Sequence, residues 1–231
     1  MKRLILFAFP LFMLACRPWR HDAGPQITED RNPGTFYDLS VYGSADVHFS
    51  SDTSYIIRVS APENWMSGIY TTVNNGRLKI EQDSHTDWFW GKVNIYISQT
   101  AYDEIYLSGS GDVDGSSAMQ FSSFSHYGSG DVALTVNSNA VDLINQGSGD
   151  IYFNGAVPQL AIQLKGSGDL NFKDLNTVKS SITSTGSGDI RISVSDTLTV
   201  SITGSGDVYY WGTPSVLQSN ITGSGQLIHM N

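Results

Sequence analysis

The tetrapeptide GSGD begins at residues 109, 128, 147, 166, 186 and 204, and it returns once more as GSGQ at 223–226. The leading glycines of successive copies stand about 20 residues apart, a period that marks a solenoid in which each repeat is one coil. Apolar residues flank the motif at even offsets. Leu107, Leu164 and Ile202 stand two before it, Ile105, Phe124, Leu143, Ile162, Ile182 and Val200 four before, and Val113, Val132, Ile151, Leu170, Ile190 and Val208 four after. Leu134, Phe153, Phe172, Ile192 and Tyr210 follow six after. Residues of one parity in an extended chain share one face. One coil cannot bury such a face, but a stack of coils can. The expected fold is all-β: a right-handed parallel β-helix (a solenoid) with about 19 residues per coil, its hand following the usual crossover rule. At ~4.8 Å per strand, the six intervals span roughly 29 Å.

The same parity turns both glycines of the motif inward and its serine and aspartate outward. Glycine is expected there because the wall bends or the interior is too narrow for a side chain. Asp112, Asp131, Asp150, Asp169, Asp189 and Asp207 then form a column of like charges. Neighbours at strand spacing repel by roughly 1 kcal/mol in water. Two uses of the column follow: cations held by carboxylate oxygens, or carboxylates that fix each corner by accepting backbone N–H bonds. The second is the simpler. Serines 110, 129, 148, 167, 187, 205 and 224 form a parallel outward column. None sits in a G-x-S-x-G elbow, and a nucleophile would not be repeated in every coil. His21, His48, His85, His126 and His229 show no HExxH spacing. His126 and His229 fall at inward parity, as core or end-cap residues. No cofactor is implied.

Upstream of about residue 105 the pattern is strand-like but irregular. GSAD at 43–46 is an isolated early copy, well ahead of the regular array that begins at Gly109. IYTTVNNGRLKIEQD reads as two strands around a tight turn at Asn74-Asn75-Gly76. In DSHTDWFWGK, Trp88, Phe89 and Trp90 lie together between two strand signals. They are the candidate contact site, since exposed aromatics stack on sugar rings or anchor protein partners. Tyr209, Tyr210 and Trp211 form a second cluster. Either cluster could instead cover the core.

The N-terminus MKRLILFAFPLFMLAC has a positive start, an apolar run too short to span a bilayer, and the chain's single cysteine. Met13-Leu14-Ala15-Cys16 resembles a bacterial lipobox, which makes residues 1–15 a signal peptide and Cys16 a lipidation site. A lone cysteine in an exported chain has no internal partner. Residues 16–34 read as a lipidated tether and residues 35–231 as one β-helix domain, regular from about 105. Removing 1–15 takes away Lys2 and Arg3 and no acids, so the net charge moves from −9 to −11. An acidic chain without a basic patch does not bind nucleic acid.

Serial GSGD motifs behind an export signal, with KVNIYIS leading into IYLSGSGD, resemble the autotransporter adhesin head GIN-domain family. The resemblance covers about residues 35–230 and implies an exported β-helix. The expected protein is a non-catalytic envelope lipoprotein, anchored by Cys16 to a membrane (the outer one, facing periplasm or exterior), that binds a glycan or protein partner. Two alternatives stand beside it: a carbohydrate-active hydrolase or lyase using a carboxylate pair, and a purely structural envelope component. Open coil edges also invite self-association at the ends of the helix.

Overall fold

In a computed structural model, residues 23–51, 57–83 and 91–231 are described. Cys16 and the Trp88–Trp90 cluster therefore lie outside the described residues. Nineteen strands are joined into one sheet that winds as a solenoid of about seven turns. The N-terminal strands are β1 (Gln26–Arg31), β2 (Asp38–Gly43), β3 (Asp46–Phe49), β4 (Ile57–Pro62), β5 (Ile69–Asn74), β6 (Arg77–Gln82) and β7 (Asn94–Ile97). The regular coils run from β8 (Glu104–Gly109) and β9 (Val113–Gly115) through β10 (Ser123–His126), β11 (Val132–Asn137), β12 (Ala140–Asn145), β13 (Ile151–Ala156) and β14 (Gln159–Leu164). They finish with β15 (Leu170–Ser184), β16 (Ile190–Ile202), β17 (Val208–Trp211), β18 (Val216–Ile221) and β19 (Leu227–His229). One helical turn, α1 (Glu63–Met66), interrupts the pattern near the N-terminus.

Two parallel walls result. The first stacks β6, β2, β8, β10, β12, β14, β15, β16 and β18 in that order. The second stacks β7, β3, β9, β11, β13, β15, β16, β17 and β19. β15 and β16 are long enough to serve both walls. GSGD forms the corner between the walls. The alternation in the sequence is the burial pattern: Phe124, Phe153 and Phe172 are fully buried, with neighbouring centroids 5.3 and 5.2 Å apart. Parity also places polar residues inside, where His126 and Asn145 are buried in adjacent coils and bonded Nδ1 to Oδ1 at 3.2 Å.

The irregular N-terminal part has a topology that local periodicity does not carry. Gly43 of β2 pairs with Gly109 of β8, so two coils far apart in sequence are direct neighbours. The chain makes the β2–β3 coil, then crosses outward to build the β6–β7 coil on its far side, and returns to continue from β8. Arg77 on β6 ties the exchange together by reaching Asp38 on β2 at 3.0 Å and Glu104 on β8 at 2.6 Å. The intervening strands and β1 form an antiparallel cap: β5 on β6, β4 on β7, and β1 on β4. The β5–β6 turn is the expected hairpin, with Asn75 at φ 50° and Gly76 at φ 75°. These are the positive angles that a two-residue turn needs. β1 falls within the segment read as a tether, so residues 26–31 belong to the fold instead. Its backbone gains a partner strand in β4, and Arg31 reaches Glu29 at 3.0 Å and the carbonyl of Ile69.

Candidate functional site

The second glycine of the corner is buried from Gly130 to Gly225, whereas first glycines such as Gly109 and Gly128 are not, so the expectation that both face a narrow interior does not hold. A Cβ placed on Gly128 would lie 2.0 Å from the carbonyl oxygen of Gly109, and one on Gly149 would lie 2.0 Å from that of Gly130. The same clash recurs at every later copy. At the corner the chain is turned so that this position points along the stack into the backbone of the previous coil, and only glycine permits that approach. Ala45 occupies the second-glycine slot of GSAD and is buried there.

The aspartates form a ladder of side-chain to backbone bonds. Each Oδ1 accepts the N–H of the equivalent residue one coil onward. The steps run from Asp46 to Asp112 (3.0 Å), Asp131 (2.9 Å), Asp150 (2.8 Å), Asp169 (2.8 Å), Asp189 (2.8 Å), Asp207 (2.9 Å) and finally Gln226 (2.8 Å). In return each main-chain carbonyl accepts the N–H of the residue after the preceding rung, as Asp150 does from Val132 at 2.8 Å. Gln226 now has a reason. Its amide is held by the Asp207 carboxylate, and among the described residues no later rung draws on its own side chain. The early GSAD copy is a full member, since Asp46 supplies the first rung.

The two sides of this corner differ. On the second-wall side, Asp112, Asp131, Asp150 and Asp169 border a shallow acidic groove with Asp114, Tyr152 and Arg191. Arg191 reaches Asp169 at 3.1 Å and Asp189 at 3.5 Å. Among the described residues, no three His, Cys, Asp or Glu side chains converge to hold a metal ion. The ladder carboxylates share the same bond to a backbone amide, to which Asp169 and Asp189 add the Arg191 contact, while Asp114, outside the ladder, bonds His48 Nδ1 at 2.9 Å.

On the first-wall side the surface is aromatic. Tyr42, Tyr106 and Tyr127 step across three adjacent coils with centroids 5.4 and 5.2 Å apart. Lys79 lies 5.2 Å from the Tyr42 ring, and Gln146 donates to the Tyr127 hydroxyl at 3.5 Å. Beside the ladder runs an open groove with a floor of Gly109, Gly128, Gly147 and Gly166. Its rim carries Ser129, Ser148, Ser167, Tyr127, Gln146 and Lys165, and no carboxylate. The three serines are exposed, and their hydroxyls have no hydrogen-bond partner among the described residues. The tyrosine ladder escapes sequence reading because Tyr106 and Tyr127 sit at different offsets from the motif and meet only diagonally across coils.

Of the other singled-out residues, Tyr210 is buried and stacks on His229 at 4.7 Å, while Trp211 has Lys173 over its ring at 4.9 Å. Tyr209 stays at the surface, with the Arg191 guanidinium 5.4 Å from its ring. That cluster closes the core near the C-terminal end. Trp88, Phe89 and Trp90 fall between Asp83, which follows β6, and Gly91, which packs against Pro62 and Trp65 of the cap.

Fold and corner together define a parallel β-solenoid locked by a glycine–aspartate ladder. Residues 35–214 match the family described as "Putative auto-transporter adhesin, head GIN domain", and the chain belongs to it. Membership implies an exported or cell-envelope protein. A "putative adhesin" from Bacteroides fragilis is similar in structure, at 20% identity and TM-score 0.82, with 89% of this chain and 97% of that one covered. A "putative lipid binding protein" from Parabacteroides distasonis aligns at 22% identity and TM-score 0.68 over 90% and 98% of the two chains. A "putative adhesin" from the same organism aligns at 17% identity and TM-score 0.66, again over 90% and 98%. At such identities the likeness is one of fold. No curated protein matches by sequence.

Proposed function

We propose that this protein is a non-catalytic interaction module of the cell envelope, held to the outer membrane by acyl chains on Cys16, and that its tyrosine–serine wall binds a glycan. The observation that carries the reading is the ladder of Tyr42, Tyr106 and Tyr127 beside a glycine-floored groove with free hydroxyls. A pyranose offers an apolar C–H face and a ring of hydroxyls. Tyrosine takes the first, and serine, glutamine and lysine exchange hydrogen bonds with the second. An open groove without carboxylates fits an extended chain better than a small molecule, which would need an enclosed pocket. The non-catalytic part of the reading rests on the aspartates, each of which commits an oxygen to the same backbone amide.

The test is a glycan array probed with residues 17–231, alongside Tyr127→Ala, Tyr106→Ala and Trp88→Ala/Trp90→Ala variants. Selective binding lost in the two tyrosine variants supports the wall as the site. Loss only in the tryptophan variant would move the site to the 84–90 segment, and no binding by the intact protein would refute the glycan. Acyl labelling in cells, abolished by Cys16→Ser, tests the anchor.

A further inference from the structure

The two ends of the solenoid are finished differently. The N-terminal end is covered by antiparallel strands and α1. At the C-terminal end β18 pairs with β16 on one side only and β19 with β17 on one side only. Every residue of β18 is exposed, with Val216 at 42%, Leu217 at 46% and Ile221 at 40%. Leu217, Ser219 and Ile221 hold inward parity, yet among the described residues no further coil lies over them. Edge strands of natural proteins are normally blunted by charge, bulges or covering elements. Here residues 212–231 contain no Asp, Glu, Lys or Arg, in a chain of net charge −9, and Gln226 stands where every other regular coil has an aspartate.

We propose that this end is a self-association face, on which β18 pairs antiparallel with β18 of a second copy about a two-fold axis. Three features select that occupant. The face lacks charged side chains, so two acidic molecules meet at the one coil where they do not repel. The open edge is a strand, and another copy supplies a matching one, which a two-fold interface requires. The final coil offers about 20 residues, the lower end of the ~20–30 a side found in standard interfaces. Register follows from the backbone. Thr222 turns its N–H back to Ile202, so by alternation the N–H and C=O groups of 217, 219 and 221 point to the open end. The pairing that uses all three is centred on Ser219: Ser219 opposes Ser219 of the other copy, and Leu217 opposes Ile221.

The experiment is sedimentation of residues 17–231 across a concentration series. The expected result is a species of twice the monomer mass at high concentration. Ser219→Lys places two like charges opposite each other and should leave only monomer. Its melting temperature at low concentration should match the parent, because Ser219 is exposed. Ser219→Cys, the sole cysteine in residues 17–231, should form a disulfide-linked dimer under mild oxidation, since opposed residues lie ~5.5 Å apart at Cα, within disulfide range. A monomer at every concentration, a dimer indifferent to Ser219→Lys, failure of Ser219→Cys to cross-link, or open-ended fibres in place of a dimer would each overturn the proposal.

Discussion

Replacing Asp150 separates the two things an aspartate in the ladder does. Its Oδ1 accepts the Asp169 N–H at 2.8 Å, and its charge lies between those of Asp131 and Asp169. Asp150→Ala leaves the Asp169 amide without its acceptor. Bonds to charged groups contribute about 1.5–3 kcal/mol; the site is exposed and water partly substitutes, so ~1–2 kcal/mol is the expected cost. Removing the charge works in the opposite direction. Each neighbour repels by ~1 kcal/mol in water at strand spacing, and salt weakens this. Asp150→Asn keeps an acceptor oxygen and loses only the charge. Both variants lose the charge, so they should differ from each other by the worth of a neutral bond, ~0.5–1.5 kcal/mol, or roughly 1–6 °C in melting temperature for a chain of this size. Asp150→Asn should be at or above the parent at low salt, and the deficit of Asp150→Ala should deepen as salt is added. Thermal melts by circular dichroism at two ionic strengths read this directly. If Asp150→Asn melts together with Asp150→Ala, the acceptor oxygen is not what the ladder needs, and the account of the motif fails.

Other consequences follow from neighbouring residues. Gly149→Ala should destabilise by at least ~1–3 kcal/mol, the usual range for forced overpacking, whereas Ser148→Ala should change stability by less than ~0.5 kcal/mol; denaturant titrations of the pair check both. Phe153→Ala empties a fully buried site between Phe124 and Phe172 and should cost ~3–5 kcal/mol in the same assay. Burial holds the His126 imidazole below its ordinary value of 6.5, although the Asn145 bond partly opposes this. As pH falls, the unfolded chain then takes up a proton first. The associated stability is complete above about 6.5 and is lost as pH falls through the folded value, with a slope of at most ~1.4 kcal/mol per pH unit. His126→Leu should flatten that part of the melting-temperature profile, and an unchanged slope would count against it.

The regular coils are legible in the sequence because their signal is local. An even-offset apolar pattern around GSGD fixes which residues face inward, and Phe153 and Ile190 lie where that pattern puts them. The reason for the glycines is not legible, because the group they avoid belongs to the previous coil. The exchange of the first two coils is hidden for the same reason. Gly43 and Gly109 are neighbours although β4, α1, β5, β6 and β7 lie between them in sequence, and the inserted strands pair with each other. One signal could have exposed it: GSAD keeps an aspartate in the ladder slot, and an isolated irregular copy has no use for one. Leu217 and Ile221 keep inward parity, but burial needs a following coil and among the described residues none lies over them. The tyrosine wall does not follow the period, since Tyr42 and Tyr127 stand one residue before their motifs but Tyr106 three before its own, and the rings meet through diagonal contacts.

The central functional claim separates the repeated motif, which holds the coils together, from the wall beside it, which binds. Amide NMR mapping with the strongest array glycan tests that separation most directly. The account expects shifts at Tyr127, Ser129, Gln146 and Ser148, with the amides of Asp114 and Tyr152 across the corner left quiet. Shifts confined to the acidic groove, or to the residues around Gly91, would contradict it.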